Sequence, residues 1–333
     1  MSYEPLTLGV ALSDNERTRP LIQGRIALKG MRWQVTVVHP SEMFWRQLRF
    51  ADFDVSEMSL ATLAIALSRG ERRWVALPIF TTRFFSHTQI MIRDDRGITR
   101  PEDLKGKRIG VPEYQQTSAV WSRGVLQHEF GVQPTDVEWF MERGADRSHG
   151  GATGFQPPPG VRLHQIPPST DIGEMMIRGE LDATLLYLTD RNLVDRSRVD
   201  VNAAARVRTL FADPAAEGRR YFEKTGIYPI NHAVVVKREL LERHPWLAIN
   251  LYHAFADAKA DVEREANESI KSLYDTGAIV ERPAALEKAD PKSYGLKSAG
   301  RVVETVLGYV HEQGLSARRV TLEEMFAPQT LDL

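Results

Sequence analysis

The stretch GITRPEDLKGKRIGVPEYQQTSAVWSRGVLQHEFGV, residues 97–132, carries the reading of the fold. Thr99-Arg100-Pro101-Glu102 has the spacing of a capping box over one short helix, which Gly106 ends. Lys107 to Val111 reads as a strand and Pro112 to Thr117 as a loop. A helix then runs to about Phe130, with Gly131 as its stop signal. A strand that passes through a short loop into a helix is the repeating unit of an α/β fold, and such loops are where these folds bind ligands.

The same alternation extends upstream. Leu6 to Leu12 reads as a strand, followed by the polar loop Ser13 to Thr18. Trp33 to Val38 is a second strand, and Ser41 opens a helix carrying Phe44, Trp45 and Leu48. Phe53-Asp54-Val55 is a third strand, and Ser59 caps a helix from Leu60 to Ser68. Trp74 to Phe80 is a fourth strand and Ile90 to Ile92 a fifth. Downstream, residues 144–160 are rich in Gly and Pro and read as a surface loop. Ser169 to Arg178 reads as a helix and Leu181 to Tyr187 as a strand, while 190–208 is too polar to assign. Ala233 to Val236 is a strand. Two helices dominate the rest, one starting near Pro245 and one carrying the stripe Val302, Val306, Val310. Thr321 and Glu324 form another capping box.

At 333 residues the chain is long enough for two domains. Hydrophobic residues make up 42%, enough for two cores, and the net charge of −1 gives no basic excess for nucleic acid. The absence of cysteine excludes disulfides, thiolate metal sites and Cys nucleophiles. Met1-Ser2-Tyr3-Glu4-Pro5 has no basic and apolar leader, and no apolar run is long enough to span a bilayer. The expectation is a cytoplasmic protein without a membrane partner. No G-x-G-x-x-G, Walker A or G-x-S-x-G pattern is present.

Three further stretches carry a resemblance: FDVSEMSLATLAIALSRG (53–70), GVPEYQQTSAVWSRG (110–124) and TGIYPINHAVVVKRELLERHPW (225–246). With the DLKGK segment and in this order, the chain resembles the 4,5-dihydroxyphthalate decarboxylases. The DLKGK pattern alone is shared by many solute-binding proteins. The resemblance implies an α/β, two-lobed type II periplasmic-binding-protein-like (venus flytrap) fold, with a mostly parallel sheet in each lobe and two hinge crossovers. One lobe would comprise residues 1–88 and 230–333, the other 89–229, with the ligand cleft between them. It also implies a lyase that removes one carboxylate from a dihydroxylated aromatic dicarboxylate, without a cofactor. Two features depart from the family pattern: Asn231 stands beside His232 where an apolar residue is expected, and 188–208 is longer and more charged.

Such a reaction needs the carboxylate held, electron density pushed into the ring from a phenolate, and a proton delivered to the carbon that loses CO2. A phenol of pKa about 10 facing an unassisted His of about 6.5 would cost about 5 kcal/mol to ionise. A nearby cation lowers that cost. The segment from Thr82 to His87 offers Arg83 for a carboxylate and His87 as a base, and if it is extended, Arg83, Phe85 and His87 share one side. The fold places the returning crossover beside it, which would bring His232 and, more weakly, Tyr228 to the same cleft. Glu113 is a candidate to orient a base. Tyr114 and Thr117, or Ser118, stand at a helix N-terminus suited to a carboxylate. Arg17, after the first strand, is a further anion contact. Ser59 and Glu57 face the cleft if the resemblance holds.

Each of these residues also has a plain structural reading. Arg83 pairs with a surface acid, His87 and His232 bond hinge carbonyls, Glu113 complements a helix dipole and Ser59 only caps. Arg123 reads as a structural ion pair, and His39, His128, His149, His164, His244, His253 and His311 as ordinary histidines. His87, His232, Glu57 and Glu113 show no metal-ligand spacing, so no metal is expected. The alternatives to the decarboxylase are a non-catalytic binding protein for a small anion and another lyase on the same fold. A homo-oligomer is compatible with a compact enzyme of this kind.

Overall fold

The structure, a computed structural model, describes residues 4–279, 290 and 292–333. Met1 to Tyr3, part of the stretch examined for an export leader, lie outside the described residues, as do 280–289 and 291 of the expected first lobe. In chain order the strands are β1 (Leu6–Leu12), β2 (Met31–Val37), β3 (Val55–Ser59), β4 (Trp74–Arg83), β5 (Met91–Arg93) and β6 (Arg108–Val111). There follow β7 (Glu138–Met141), β8 (Arg162–Gln165), β9 (Ala183–Thr184), β10 (Val207–Thr209) and β11 (Ile230–Lys237).

Among the described residues these strands form two sheets. One has the order β2-β1-β3-β11-β4 and the other β10-β5-β9-β6-β7-β8. In the first, β1 is parallel to β2 and β3, and β11 enters antiparallel between β3 and β4. In the second, β9, β6, β7 and β8 are parallel, with β5 and β10 antiparallel at one side. The molecule is a two-lobed α/β protein.

The helix Leu60–Ser68 lies at the centre of the packing. Its residues Leu60 to Leu67 are all buried and apolar apart from Thr62, as suits a helix enclosed by others. It packs against Thr117–Phe130 and Leu296–Glu312, and so ties the two sheets' helices into one core. The Trp121 indole N–H crosses from the second helix to donate to the Ile230 carbonyl of β11 at 2.9 Å.

Local interactions moved several elements from where the sequence put them. The third strand begins at Val55, because Phe53 is held through both backbone groups by the Gln47 side chain, at 3.0 and 3.1 Å. Ala183–Thr184 alone pairs in the expected Leu181–Tyr187 strand. The Thr184 hydroxyl bonds the Gly110 and Leu186 carbonyls there, and the chain then leaves the sheet. The expected loop 144–160 contains the helix His149–Thr153, capped by Ser148 and partly buried. Gly151 makes that turn feasible, since a Cβ there would collide with the Ala145 carbonyl. Ser86–Gln89 is a 3-10 turn rather than extended chain. Strands β7, β8 and β10 and the helix Pro214–Thr225 were not anticipated, although Asp213 with Pro214 is a helix-start signature and does cap.

Gly124, in mid-helix, sits against the face of Tyr309, and a Cβ would overlap that ring. Replacing a helical Gly would normally stabilise by up to ~1 kcal/mol. Here overpacking dominates, and Gly124→Ala is expected to lower stability by about 1–3 kcal/mol in urea denaturation.

Candidate active site

At the carboxyl end of β3, between the first turn of Thr117–Phe130 and the two chain crossings, lies a cavity of about 150 Å³. A void of that size holds one benzene-sized ring. Its wall combines Ser59, Thr82 and Phe84 from the first crossing, Gln116 to Ser118 from the helix start, Asn231 and His232 from β11, and Phe44, Arg143 and His149.

His232 is backed by a buried acid. Its Nδ1 lies 3.4 Å from Glu57 Oε2, within ion-pair range but without hydrogen-bond geometry. Phe44 packs edge-on to the imidazole at 4.7 Å. Glu57 sits in the centre of β3 and is fully buried. Burial raises its pKa, but His232 and the Ser13 and Thr81 hydroxyls outweigh that and hold the carboxyl below its ordinary value. Ser13 donates to it twice, through its backbone N–H at 2.7 Å and its hydroxyl at 2.6 Å. The arrangement fixes the ring and leaves its other nitrogen free of Glu57.

On another wall, Arg143 is buried at the end of β7. It donates to Asp195 at 2.7 Å and to the Ser41 hydroxyl at 2.6 Å, and its third nitrogen lies 3.4 Å from His149 Nε2. Burial, then the Arg143 charge, push His149 well below its ordinary pKa, so the ring is neutral. With Nε2 facing a cation, the proton belongs on Nδ1, which bonds the Thr62 hydroxyl at 2.9 Å. Thr62 donates to Ser59 at 3.0 Å, and Ser59 pairs with the Thr117 hydroxyl at 2.9 Å. Ser59 occupies the helix N-cap position, yet its hydroxyl makes no cap bond and is committed to this chain instead.

The expected site residues divide accordingly. His232, Ser59 and Thr117 line the cavity together. Glu113 lies behind it: its carboxylate accepts the His149 backbone N–H at 2.8 Å, and burial raises its pKa. Tyr114 is buried under Arg123, whose guanidinium stacks on its ring at 3.9 Å. Arg123 bonds Gln313 and the Tyr114 carbonyl, and among the described residues it forms no ion pair, contrary to expectation. Arg83 alternates with Thr82 and Phe84 and so faces away, donating to the Ser293 and Tyr228 carbonyls at 3.1 and 2.9 Å. Burial, then the Arg17 charge, lower its pKa to about 10. Tyr228 donates to the Arg83 carbonyl at 3.2 Å, and Arg17 donates to the Phe80 carbonyl. His87 is buried apart from the cavity, 3.2 Å from Glu217. Burial opposes ionisation of Glu217, but Arg220 and His87 hold it down at about 2.

The residues that the sequence reading missed are Arg143, His149 and Asp195. Arg143 had a signal: Glu142 and Arg143 directly follow an apolar strand, at the carboxyl end where ligands bind. Asp195 lies in the polar stretch that resisted assignment. Among the described residues no three His, Asp or Glu side chains are grouped to hold a metal, and no helix is long and apolar enough to cross a membrane.

A protein of Comamonas testosteroni named 4,5-dihydroxyphthalate decarboxylase is 33% identical over 337 residues, covering 98% of this chain and 98% of its own. The chain belongs to the 4,5-dihydroxyphthalate decarboxylase family. A Pseudomonas putida protein of the same name is 37% identical over 190 residues, covering 56% of this chain and 74% of its own. The family model described as NMT1/THI5 like matches residues 79–148. Among solved structures, the alkanesulfonate-binding protein SsuA from Xanthomonas axonopodis pv. citri, bound to MOPS, shares the fold. Its TM-score is 0.58 at 13% identity, over 97% of this chain and 99% of that one. As a member of the decarboxylase family, this chain is a carboxy-lyase on a periplasmic-binding-protein-like fold.

The buried neutral imidazole of His149 has a measurable consequence. Below about 6.5 the unfolded chain takes up a proton at this residue and the folded chain does not. Stability therefore falls as pH drops below that value, by up to ~1.4 kcal/mol per pH unit. In His149→Gln this part of the slope is expected to vanish, as urea midpoints measured between pH 7 and 5 will read.

Proposed function

We propose that the chain removes one carboxylate from a dihydroxylated aromatic dicarboxylate such as 4,5-dihydroxyphthalate, giving 3,4-dihydroxybenzoate and CO2 without a cofactor. The observation that carries this reading is one ring-sized cavity lined by both a carboxylate-backed histidine and a buried arginine. Family membership supports the substrate class. The lobes, taken as 1–88 with 230–333 and as 89–229, would close on the ligand and separate it from bulk solvent.

Arg143 is a planar donor suited to a carboxylate, and the first turn of Thr117–Phe130 adds free backbone N–H groups and the positive end of a helix dipole. At the other end of the ring, His232 draws the proton of one hydroxyl, and Glu57 stabilises the charge the imidazole acquires. Phenolate density reaches the para carbon, which bears the carboxylate. That carbon takes up a proton from a water enclosed with the substrate, whose hydroxide is neutralised by a solvent proton; its bond to the carboxylate breaks, and CO2 leaves as aromaticity returns. His232 then gives its proton back to the phenolate. The net change is one proton consumed and one CO2 released.

The test is turnover of 4,5-dihydroxyphthalate by the purified protein, following CO2 and 3,4-dihydroxybenzoate before and after chelator treatment. Chelator-resistant turnover is expected. Thermal stabilisation by the ligand without turnover would instead identify a binding protein for small anions. His232→Gln is expected to lower kcat/KM by roughly 10²–10⁴-fold, the usual contribution of general acid–base catalysis. His87→Gln, whose ring pairs with Glu217 away from the cavity, is expected to stay within a few-fold of the unaltered protein.

A further inference from the structure

Among the described residues two carboxamides of the cavity have unpaired buried groups, Gln116 at its nitrogen and Asn231 at both ends. Asn231 is 1% exposed and lines the cavity, yet neither its carboxamide oxygen nor its nitrogen has a hydrogen-bond partner among the described residues. An unpaired buried amide is costly, so its retention calls for a partner from outside the chain.

The backbone is built to present it. From Ile230 to His232, β11 advances two residues where β4 advances one, from Arg83 to Thr82. Asn231 is the extra residue of a β-bulge. Bulges leave that residue out of the strand pairing and re-aim its side chain. In an unbroken strand neighbours point to opposite faces, whereas here Asn231 and His232 both line the cavity.

The chemistry of the amide selects its partner. It offers one accepting oxygen and one donating nitrogen. A carboxylate only accepts, so it would satisfy the nitrogen and set its charge against the oxygen. Adjacent ring hydroxyls use both groups, one donating and one accepting. We propose that Asn231 is the specificity-determining residue that reads the adjacent hydroxyls of the substrate. Its nitrogen donates to the oxygen that loses its proton to His232, and its oxygen accepts from the neighbouring hydroxyl. The inference rests on the reaction proposed above, and it divides the work between two consecutive residues: His232 moves the proton, and Asn231 chooses the ring.

The experiment is a series of ligands measured by calorimetry on the full chain: benzoate, 4-hydroxybenzoate and 3,4-dihydroxybenzoate, with phthalate as a probe of the carboxylate end alone. In the unaltered protein, affinity is expected to rise roughly three- to tenfold with each hydroxyl. In Asn231→Leu the rise from 4-hydroxybenzoate to 3,4-dihydroxybenzoate should disappear while phthalate affinity stays within twofold. Equal affinity across the series in the unaltered protein overturns the proposal, and this arm does not depend on a variant that folds. Equal losses for phthalate and 3,4-dihydroxybenzoate in Asn231→Leu also overturn it. The hydroxyl-dependent rise without turnover of 4,5-dihydroxyphthalate would support Asn231 as the reader of the ring and reject the reaction. Absence of both rejects both.

Discussion

The site depends on the burial of one ion pair, Arg143 with Asp195, at 2.7 Å and with both side chains almost wholly enclosed. Removing one partner of such a pair leaves an uncompensated buried charge, which typically costs 3–5 kcal/mol. Asp195 comes from the polar segment after β9, and Arg143 from the end of β7. Ser41, on the helix after β2, satisfies a third side of the guanidinium. The pair is stapled further by Glu142, which accepts the backbone N–H groups of Arg196 and Ser197. The cation at the cavity is therefore fixed by segments far apart in the chain.

Around that charge the titratable groups are set in opposite states by their surroundings. Glu57 is buried but richly hydrogen-bonded and stays ionised behind His232. Glu113 is equally buried, but with weaker compensation its proton is held more tightly. His149, beside the arginine, is kept neutral and passes its orientation along Thr62 and Ser59 to Thr117. One histidine of the cavity thus serves as a fixed link, and the other is backed by a negative charge.

Much of the architecture was legible because it rests on short-range rules. The helix Thr117–Phe130 ends at Gly131 in the left-handed conformation, and Thr321 with Glu324 closes a reciprocal capping box. The lobed fold and the family followed from stretches whose order is distinctive. The cavity was legible only in part. His232, Ser59 and Thr117 were found because crossovers and helix starts are recognisable from sequence. Arg83 and His87 were drawn in by an assumed extended chain, which a 3-10 turn at Ser86–Gln89 breaks and whose alternation points Arg83 outward. Arg143 carried only the signal of its place after a strand and His149 none, since their settings arise from a buried pairing with Asp195 and from a turn that Gly151 permits. Asn231 was visible as an oddity, but its bulge is a property of two strands together.

The late arrival of β11 has a consequence for how the molecule comes into being. This strand completes the first sheet by inserting between β3 and β4, which are otherwise bare on their facing edges. During synthesis the chain must extend through the whole second sheet before that gap can be filled. Until then two strands stand with unpaired backbone groups, the condition under which sheets join to other chains. The interior strand that carries His232 is thus also the last piece of its sheet, and a nascent chain has no assembled cavity until that strand is made.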